Sequence, residues 1–297
     1  MNTAEALAKL GVSESALTSA QRRALDDDGF FIVPDAFSAQ ECAEMAEEFD
    51  RLHKVEGERG GHEVHIEPGA PRVSNIFNKS AVFDRCLEWA PLLEASRYLL
   101  GEFKVHGANL RNPLRGQGHQ PLHSDVPRDG PDDWRLVNAI IFFDDVTEGN
   151  GPPRVVPGSH HWQALNVPDV NLGGYDVAKQ VDAQSERYPK DPFAPYPGEV
   201  HLTGPVGTVA VCNAHIWHSG TRNESGALRR VLHLTYTRRD LPQQLVQREY
   251  LTRGLYDRMN AAHRFLMDIE GEPKTTEQSD GPRERPVRTW RGVTPGS

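Results

Sequence analysis

Between residues 103 and 237 the chain keeps returning to one pattern, a short apolar run closed by a proline- or glycine-rich break. The runs cover residues 103–110, 135–143, 154–156, 207–214 and 228–237. Apolar runs of this length bounded by turn formers read as strands. The 26 Gly and 22 Pro of the 297 residues supply the breaks and fit many short strands better than a helix bundle. Strands gathered behind a helical first third predict a mainly β core with flanking helices as an outer layer.

The first third has its own punctuation. Thr18 with Gln21, and Ser38 with Glu41, carry the spacing of a capping box. The first predicts a polar helix ending near Asp28 and Gly29. Residues 30–33, stopped by Pro34, predict a short buried strand. The second predicts a helix with Cys42, Met45, Ala46 and Phe49 on one apolar face. Residues 56–70 predict a loop or hairpin. Residues 81–100 predict a helix with Phe83, Leu87, Ala90, Leu93 and Tyr98 near one stripe. Residues 250–267 predict a return to helix, and 270–297 a partly ordered tail. A single domain over 1–297 is expected: a helical part to about 100, a β core over about 103–240, and a helix with a tail over 241–297.

Charge narrows the function classes. With 33 basic and 42 acidic side chains the chain carries a formal −9, the wrong sign for a general nucleic-acid binder, which needs clustered cations to displace counterions. No apolar run approaches membrane-spanning length, and residues 1–10 lack a signal-peptide pattern. Cys42, Cys86 and Cys212 form neither a disulfide framework nor a zinc pattern. The expectation is a soluble cytoplasmic protein with no nucleic-acid or membrane partner; no oligomeric state is implied.

The chemistry centres on Leu122-His123-Ser124-Asp125. In an extended segment His123 and Asp125 project to one face and can converge on one ion. His218, at the end of an apolar run, is the best third ligand. Two His and one carboxylate on one side of an ion form the facial triad of non-haem Fe(II) oxygenases, with positions left open. With 13 histidines an HxD also arises by chance, and His160, His161 and His263 read as surface or packing residues. Arg229, eleven residues after His218, could bind a carboxylate bidentately. It shares a strand face with Val231, His233 and Thr235, whereas Arg230 shares the face of Leu232, Leu234 and Tyr236. Arg229 is favoured as the inward residue; a surface salt bridge is the alternative for either.

In order, these features resemble the phytanoyl-CoA dioxygenase family of Fe(II)/2-oxoglutarate oxygenases. The resemblance rests on residues 17–33, on Gln120 to Asp125, on Gly149-Asn150-Gly151 followed by Val155 to His160, and on His218, Asn223, Ser225 and Arg229. It spans about 17–240. It implies a double-stranded β-helix (jelly-roll, cupin-like) core, Fe(II) held by His123, Asp125 and His218, and 2-oxoglutarate held by Arg229. It further implies that O2 is consumed and that succinate and CO2 are released as a C–H bond is oxidised. Gln120 is a weaker candidate for cosubstrate or substrate. Many members carry a hydroxyl residue two positions after the distal His; here that position is Gly220, and Thr221 or Ser225 is the possible substitute. Asp125 favours hydroxylation or desaturation over halogenation.

The implied substrate is a small molecule, an intermediate of natural-product or specialised metabolism. An acyl-CoA is the alternative within the family, and a catalytically silent cupin-like metal- or ligand-binding protein the alternative outside it. A thioester would need a phosphate-binding patch, for which Arg111, Arg115 and Arg128 are candidates; solvated loop charges are the preferred reading. Residues 60–78 and 166–197 are long enough to form lids. Trp162, Tyr175, Tyr188, Phe193 and Tyr196 either line the pocket or anchor the second loop.

Overall fold

A computed structural model of the chain describes residues 1–169, 174–175 and 186–273. In chain order the elements are α1 (Thr3–Lys9), α2 (Ser19–Asp27), β1 (Phe30–Val33), α3 (Ala39–Glu56), β2 (Arg72–Val73), α4 (Ile76–Lys79), α5 (Ala90–Leu100), β3 (Phe103–Arg111), β4 (Leu136–Phe142), β5 (Pro153–Val155), β6 (Pro168–Asp169), β7 (Gly174–Tyr175), β8 (Val200–His201), β9 (Val209–Asn213), β10 (His218–Gly220), β11 (Val231–Arg238), α6 (Arg253–Arg258) and α7 (Ala261–Met267). Both expected capping boxes form, at Thr18 with Gln21 and at Ser38 with Glu41. Each cap contributes about 1 kcal/mol. A third, Asn2 with Glu5, starts α1, a helix the sequence reading passed over.

Six strands form one sheet in the order β1-β9-β4-β11-β3-β2, and three form a second in the order β10-β5-β8. Every pairing is antiparallel. Alternation along the strands splits the side chains between two cores. Val137, Ala139, Ile141, Val209, Val211, Leu232, Leu234 and Tyr236 join the helices in the larger core. Ile140, Phe142, Ala210, Cys212 and Val231 meet Val155, Leu202 and Ile216 in a smaller core between the sheets. The result is the expected jelly roll under a helical layer, although helices contribute more residues than strands.

Four expectations change in detail. The stretch 81–100 is not one helix: a 3-10 turn over Ala81–Glu88 ends at Trp89, which is extended, before α5 begins. Pro91 lies in the first turn of α5, where its missing N–H needs no partner, so it starts a helix there and cannot continue one. Tyr98 is exposed and donates to Asp26 instead of packing. The C-terminal helix is split into α6 and α7, because Asn260 turns outward to cap α7 through the N–H groups of Ala262 and His263. Arg229 lies just before β11 rather than opening it. Its N–H and that of Arg230 are taken by the side chains of Asn112 and Asp144, not by a neighbouring strand. The tail expected beyond residue 273 lies outside the described residues.

Candidate active site

An isolated bridge links the two histidines. His123 N–H donates to the His218 carbonyl at 2.9 Å, and His218 N–H returns the bond to His123 at 2.8 Å. This reciprocal pair sets the imidazoles side by side, with ring centroids 4.3 Å apart. Asp125, two residues on and on the same face, is fixed by its N–H to the Ala214 carbonyl. Its Oδ1 lies 3.6 Å from His123 Nε2 and 3.5 Å from His218 Nε2. Each ring turns its Nδ1 to a local carbonyl, His123 to Pro121 at 2.8 Å and His218 to Ile216 at 2.9 Å. A carbonyl can only accept, so Nδ1 carries the proton and Nε2 presents its lone pair inward. Burial disfavours charge on Asp125, but the two imidazoles outweigh it and hold the carboxyl well below the usual range. Burial lowers His123; at His218 the carboxylate overcomes burial and raises it.

Three donors with inward lone pairs, one of them anionic, fit a divalent ion that accepts nitrogen and oxygen ligands. Among the described residues one other donor set gathers, Glu56, His62 and Glu63. There the Lys79 ammonium stands 2.5 Å from each carboxylate and supplies the positive charge itself.

Arg229 is 1% exposed, yet its Nε and Nη2 have no hydrogen-bond partner. Burial and the neighbouring Arg111 destabilise its charge. A buried guanidinium left in this state fits a missing carboxylate. His233, partly buried on β11, lies in electrostatic range of both Arg229 and Asp125. Arg230 points the other way and pairs with Asp144 at 2.6 Å and Asp50 at 2.8 Å. The inward assignment of Arg229 over Arg230 therefore matches the side-chain positions.

The remaining candidates separate. Gln120 comes to the site's edge, where its Oε1 accepts from Gly220 N–H at 3.0 Å. A Cβ at Gly220 would stand 2.6 Å from the Gly118 carbonyl, 3.1 Å from Gln120 Oε1 and 3.5 Å from Arg111 Nη1, so that position has no room for a side chain. Neither proposed substitute is brought in. Thr221 Oγ1 is spent on the Pro152 carbonyl at 2.7 Å. Ser225 is exposed in a turn, where its Oγ accepts from Ala227 N–H. That turn is organised by Asn223, whose amide donates to the carbonyls of Pro113 and Ala227 while its Oδ1 accepts from Gly226. Asn223 and Ser225 thus shape the approach to Arg229.

The alternative phosphate patch does not gather: Arg115 is exposed, as a solvated loop charge would be, Arg128 is half-buried and Arg111 is buried. Arg115 donates to the carbonyls of Glu224 and Ser225. Arg128 donates to those of Pro131, His160, His161 and Trp162. Arg111 is buried on Glu67, which also accepts from Arg72 at 2.8 Å. Of the aromatic residues, Trp162, Tyr188 and Tyr196 pack around Trp217, next to His218, and anchor their loop; the Tyr175 side chain lies outside the described residues. The turn at Pro157 and Gly158 is structural too: Ser159 Oγ accepts from Trp217 N–H at 2.8 Å.

The sequence reading passed over Asn138, buried here with its Oδ1 unpartnered, and the pairing of Glu67 with Arg111 and Arg72. Asn138 had left a signal, as the one polar residue in the run from Leu136 to Phe143. His233 was visible only as a neighbour of Arg229 on one strand face.

A jelly roll that carries a His-Asp-His donor cluster and a buried guanidinium with two unpartnered nitrogens belongs with the dioxygenases, an oxidoreductase class. The chain belongs to the phytanoyl-CoA dioxygenase (PhyH) family, whose profile matches residues 25–231. An ectoine dioxygenase of Bordetella parapertussis is 28% identical over 230 residues, 72% of this chain and 73% of that one. An L-proline trans-4-hydroxylase of Streptomyces griseoviridis is 29% identical over 228 residues, 71% and 83% of the respective chains. Among solved structures, EctD from S. alaskensis with 2-oxoglutarate and 5-hydroxyectoine matches with a TM-score of 0.57 at 25% identity, covering 75% of this chain and 76% of that one.

Proposed function

We propose that the chain is an Fe(II)/2-oxoglutarate-dependent hydroxylase acting on a C–H bond of a small molecule, an intermediate of specialised metabolism. The observation that carries this is the buried Arg229, with Nε and Nη2 unsatisfied, in the same barrel as the convergent His123, Asp125 and His218 donors. His123 Nε2, Asp125 and His218 Nε2 would hold the iron, and Arg229 the distal carboxylate of 2-oxoglutarate. When bound, iron and 2-oxoglutarate with O2 supply the oxidising power, with succinate and CO2 as coproducts. The protein's share is orientation and exclusion. The Pro121 and Ile216 carbonyls hold the Nδ1–H of each ring, which leaves Nε2 as the metal-facing atom of both histidines. Asp125 is ionised at neutral pH and supplies one negative charge. Trp217 and Leu122, both buried, keep water from the back of the ligand strands.

The relatives that act on ectoine and on L-proline support a small-molecule substrate. The commitment of Arg111, Arg115 and Arg128 to their own chain argues against a CoA thioester. Three buried, unpaired cysteines suit a reducing cytoplasm. The test is succinate formation after anaerobic loading with Fe(II), then 2-oxoglutarate and air. Iron-dependent succinate that disappears in His123→Ala supports the reading. No succinate, together with no 2-oxoglutarate binding, would return weight to a silent binding protein.

A further inference from the structure

The wall of the large sheet that faces the triad changes character along its strands. On β4 the interior positions are Asn138, Ile140 and Phe142; on β11 they are Val231, His233 and Thr235. Ile140, Phe142 and Val231 are sealed into the small core. Asn138 and His233 are not. Asn138 is 7% exposed and its Oδ1 has no hydrogen-bond partner. Among the described residues the His233 imidazole makes no hydrogen bond either. In the β4–β11 register Asn138 stands opposite Thr235 and His233 opposite Ile140, so the two polar side chains are diagonal neighbours on one face. Across the other edge, Asn138 stands opposite Cys212, whose thiol is pushed up to about 12 by burial and by the charge of Asp125. Asp125 N–H donates to the carbonyl of Ala214, two residues beyond Cys212, at 3.1 Å, which sets Asn138 toward the triad end of the sheet.

We propose that Asn138 and His233 form the substrate-binding wall of the oxygenase site, and that they select a small polar molecule carrying both hydrogen-bond donors and acceptors over a fatty acyl chain. This rests on the oxygenase reading above and names its substrate class. A buried polar atom without a partner costs about 1–3 kcal/mol, a cost a ligand with matching groups removes. A carboxamide offers a donor and an acceptor; so does the neutral imidazole of His233, which burial and nearby guanidiniums keep uncharged down to about pH 3. An acyl chain on the same wall would desolvate both groups and return nothing. The neighbouring apolar clusters offer it no channel, since the buried members of the small core are at most 4% exposed and those around Trp217 at most 3%.

The test uses the full chain loaded with Zn(II) and 2-oxoglutarate, so that binding is read without turnover. L-proline, ectoine and decanoyl-CoA are titrated by calorimetry. The expected result is that a zwitterion binds, decanoyl-CoA does not, and Asn138→Leu weakens the zwitterion at least tenfold while 2-oxoglutarate affinity stays within twofold. His233→Phe, which keeps a ring in place, should give the same selective loss and serves if Asn138→Leu does not fold. Binding of decanoyl-CoA, no binding by either zwitterion, or unchanged zwitterion affinity in the variants overturns the inference and leaves the oxygenase reading intact. Failure of the unaltered chain to bind 2-oxoglutarate overturns that reading instead.

Discussion

At Gly220 the absence of a side chain is itself informative. The resemblance made this position a gap to be filled by a nearby hydroxyl, but the space is already occupied by the Gly118 carbonyl, Gln120 and Arg111. Gly220→Ser should therefore not restore a family-like contact. It should lower the melting temperature, at an overpacking cost of about 1–3 kcal/mol, and weaken 2-oxoglutarate binding; tighter binding would show that the gap is real. The two adjacent arginines give a sharper contrast. Arg229→Ala should raise the 2-oxoglutarate dissociation constant at least tenfold, since losing one partner of a buried charged pair costs roughly 2–5 kcal/mol. Arg230→Ala should leave that constant nearly unchanged and lose only the ion pairs to Asp144 and Asp50. Calorimetric titration of both variants decides the facing. The convergence of His123, Asp125 and His218 was legible because residues two apart in an extended segment share a face. Thr221 and Ser225 were not, because a hydroxyl near a turn bonds the local backbone as readily as a ligand, and only the three-dimensional partners tell which.

Strand existence was written in the alternation of apolar runs and breaks, and all five expected runs overlap a strand. Helix continuity was harder to read: residues 81–100 and 250–267 have helical periodicity, but Pro91 and Asn260 satisfy local backbone needs that override it. Least legible were contacts between elements, and Arg154 on β5 shows why. Sequence gives it only as a strand residue. In the fold it is 2% exposed and donates to Ser219 Oγ, next to His218, at 2.6 Å. It also donates to the carbonyls of Ala194 and Pro192 and to Glu199. The Pro192 carbonyl in turn accepts from Leu122 N–H, next to His123. One guanidinium thus ties the loop over residues 192–199 to both ligand-bearing segments. Arg154→Met should cost about 3 kcal/mol by stranding Glu199. It should also speed proteolytic cleavage within 186–199 and weaken Fe(II) binding, with far-ultraviolet circular dichroism unchanged. If cleavage quickens while the metal affinity holds, the clamp does not reach the ligands.

Across the whole molecule, the two sheets and the helical layer bury several imidazoles that the chain keeps neutral. Burial pushes His106, His160 and His215 down to about 4, and burial with nearby guanidiniums takes His233 to about 3. In the unfolded chain each returns to about 6.5. Between those values the unfolded state binds more protons than the folded one, so stability rises with pH there and is lost as pH falls. Above about pH 6.5 the contribution is complete; below the folded values it is gone. Each such group can add a slope approaching about 1.4 kcal/mol per pH unit. Glu67, held well below the carboxylate range by Arg111 and Arg72 against its own desolvation, adds a second loss of the same sign below about pH 4. Thermal unfolding of metal-free protein, followed from pH 7.5 to 4.5 in chelator, should therefore show a melting temperature that falls steadily below about pH 6.5. His160→Phe should flatten that fall: its ring is packed against Trp134 and His161, and a phenyl ring there has no proton to gain on unfolding. A melting temperature flat across this window would mean that these histidines titrate alike in the folded and unfolded chain, and that the interior is wetter than the packing indicates.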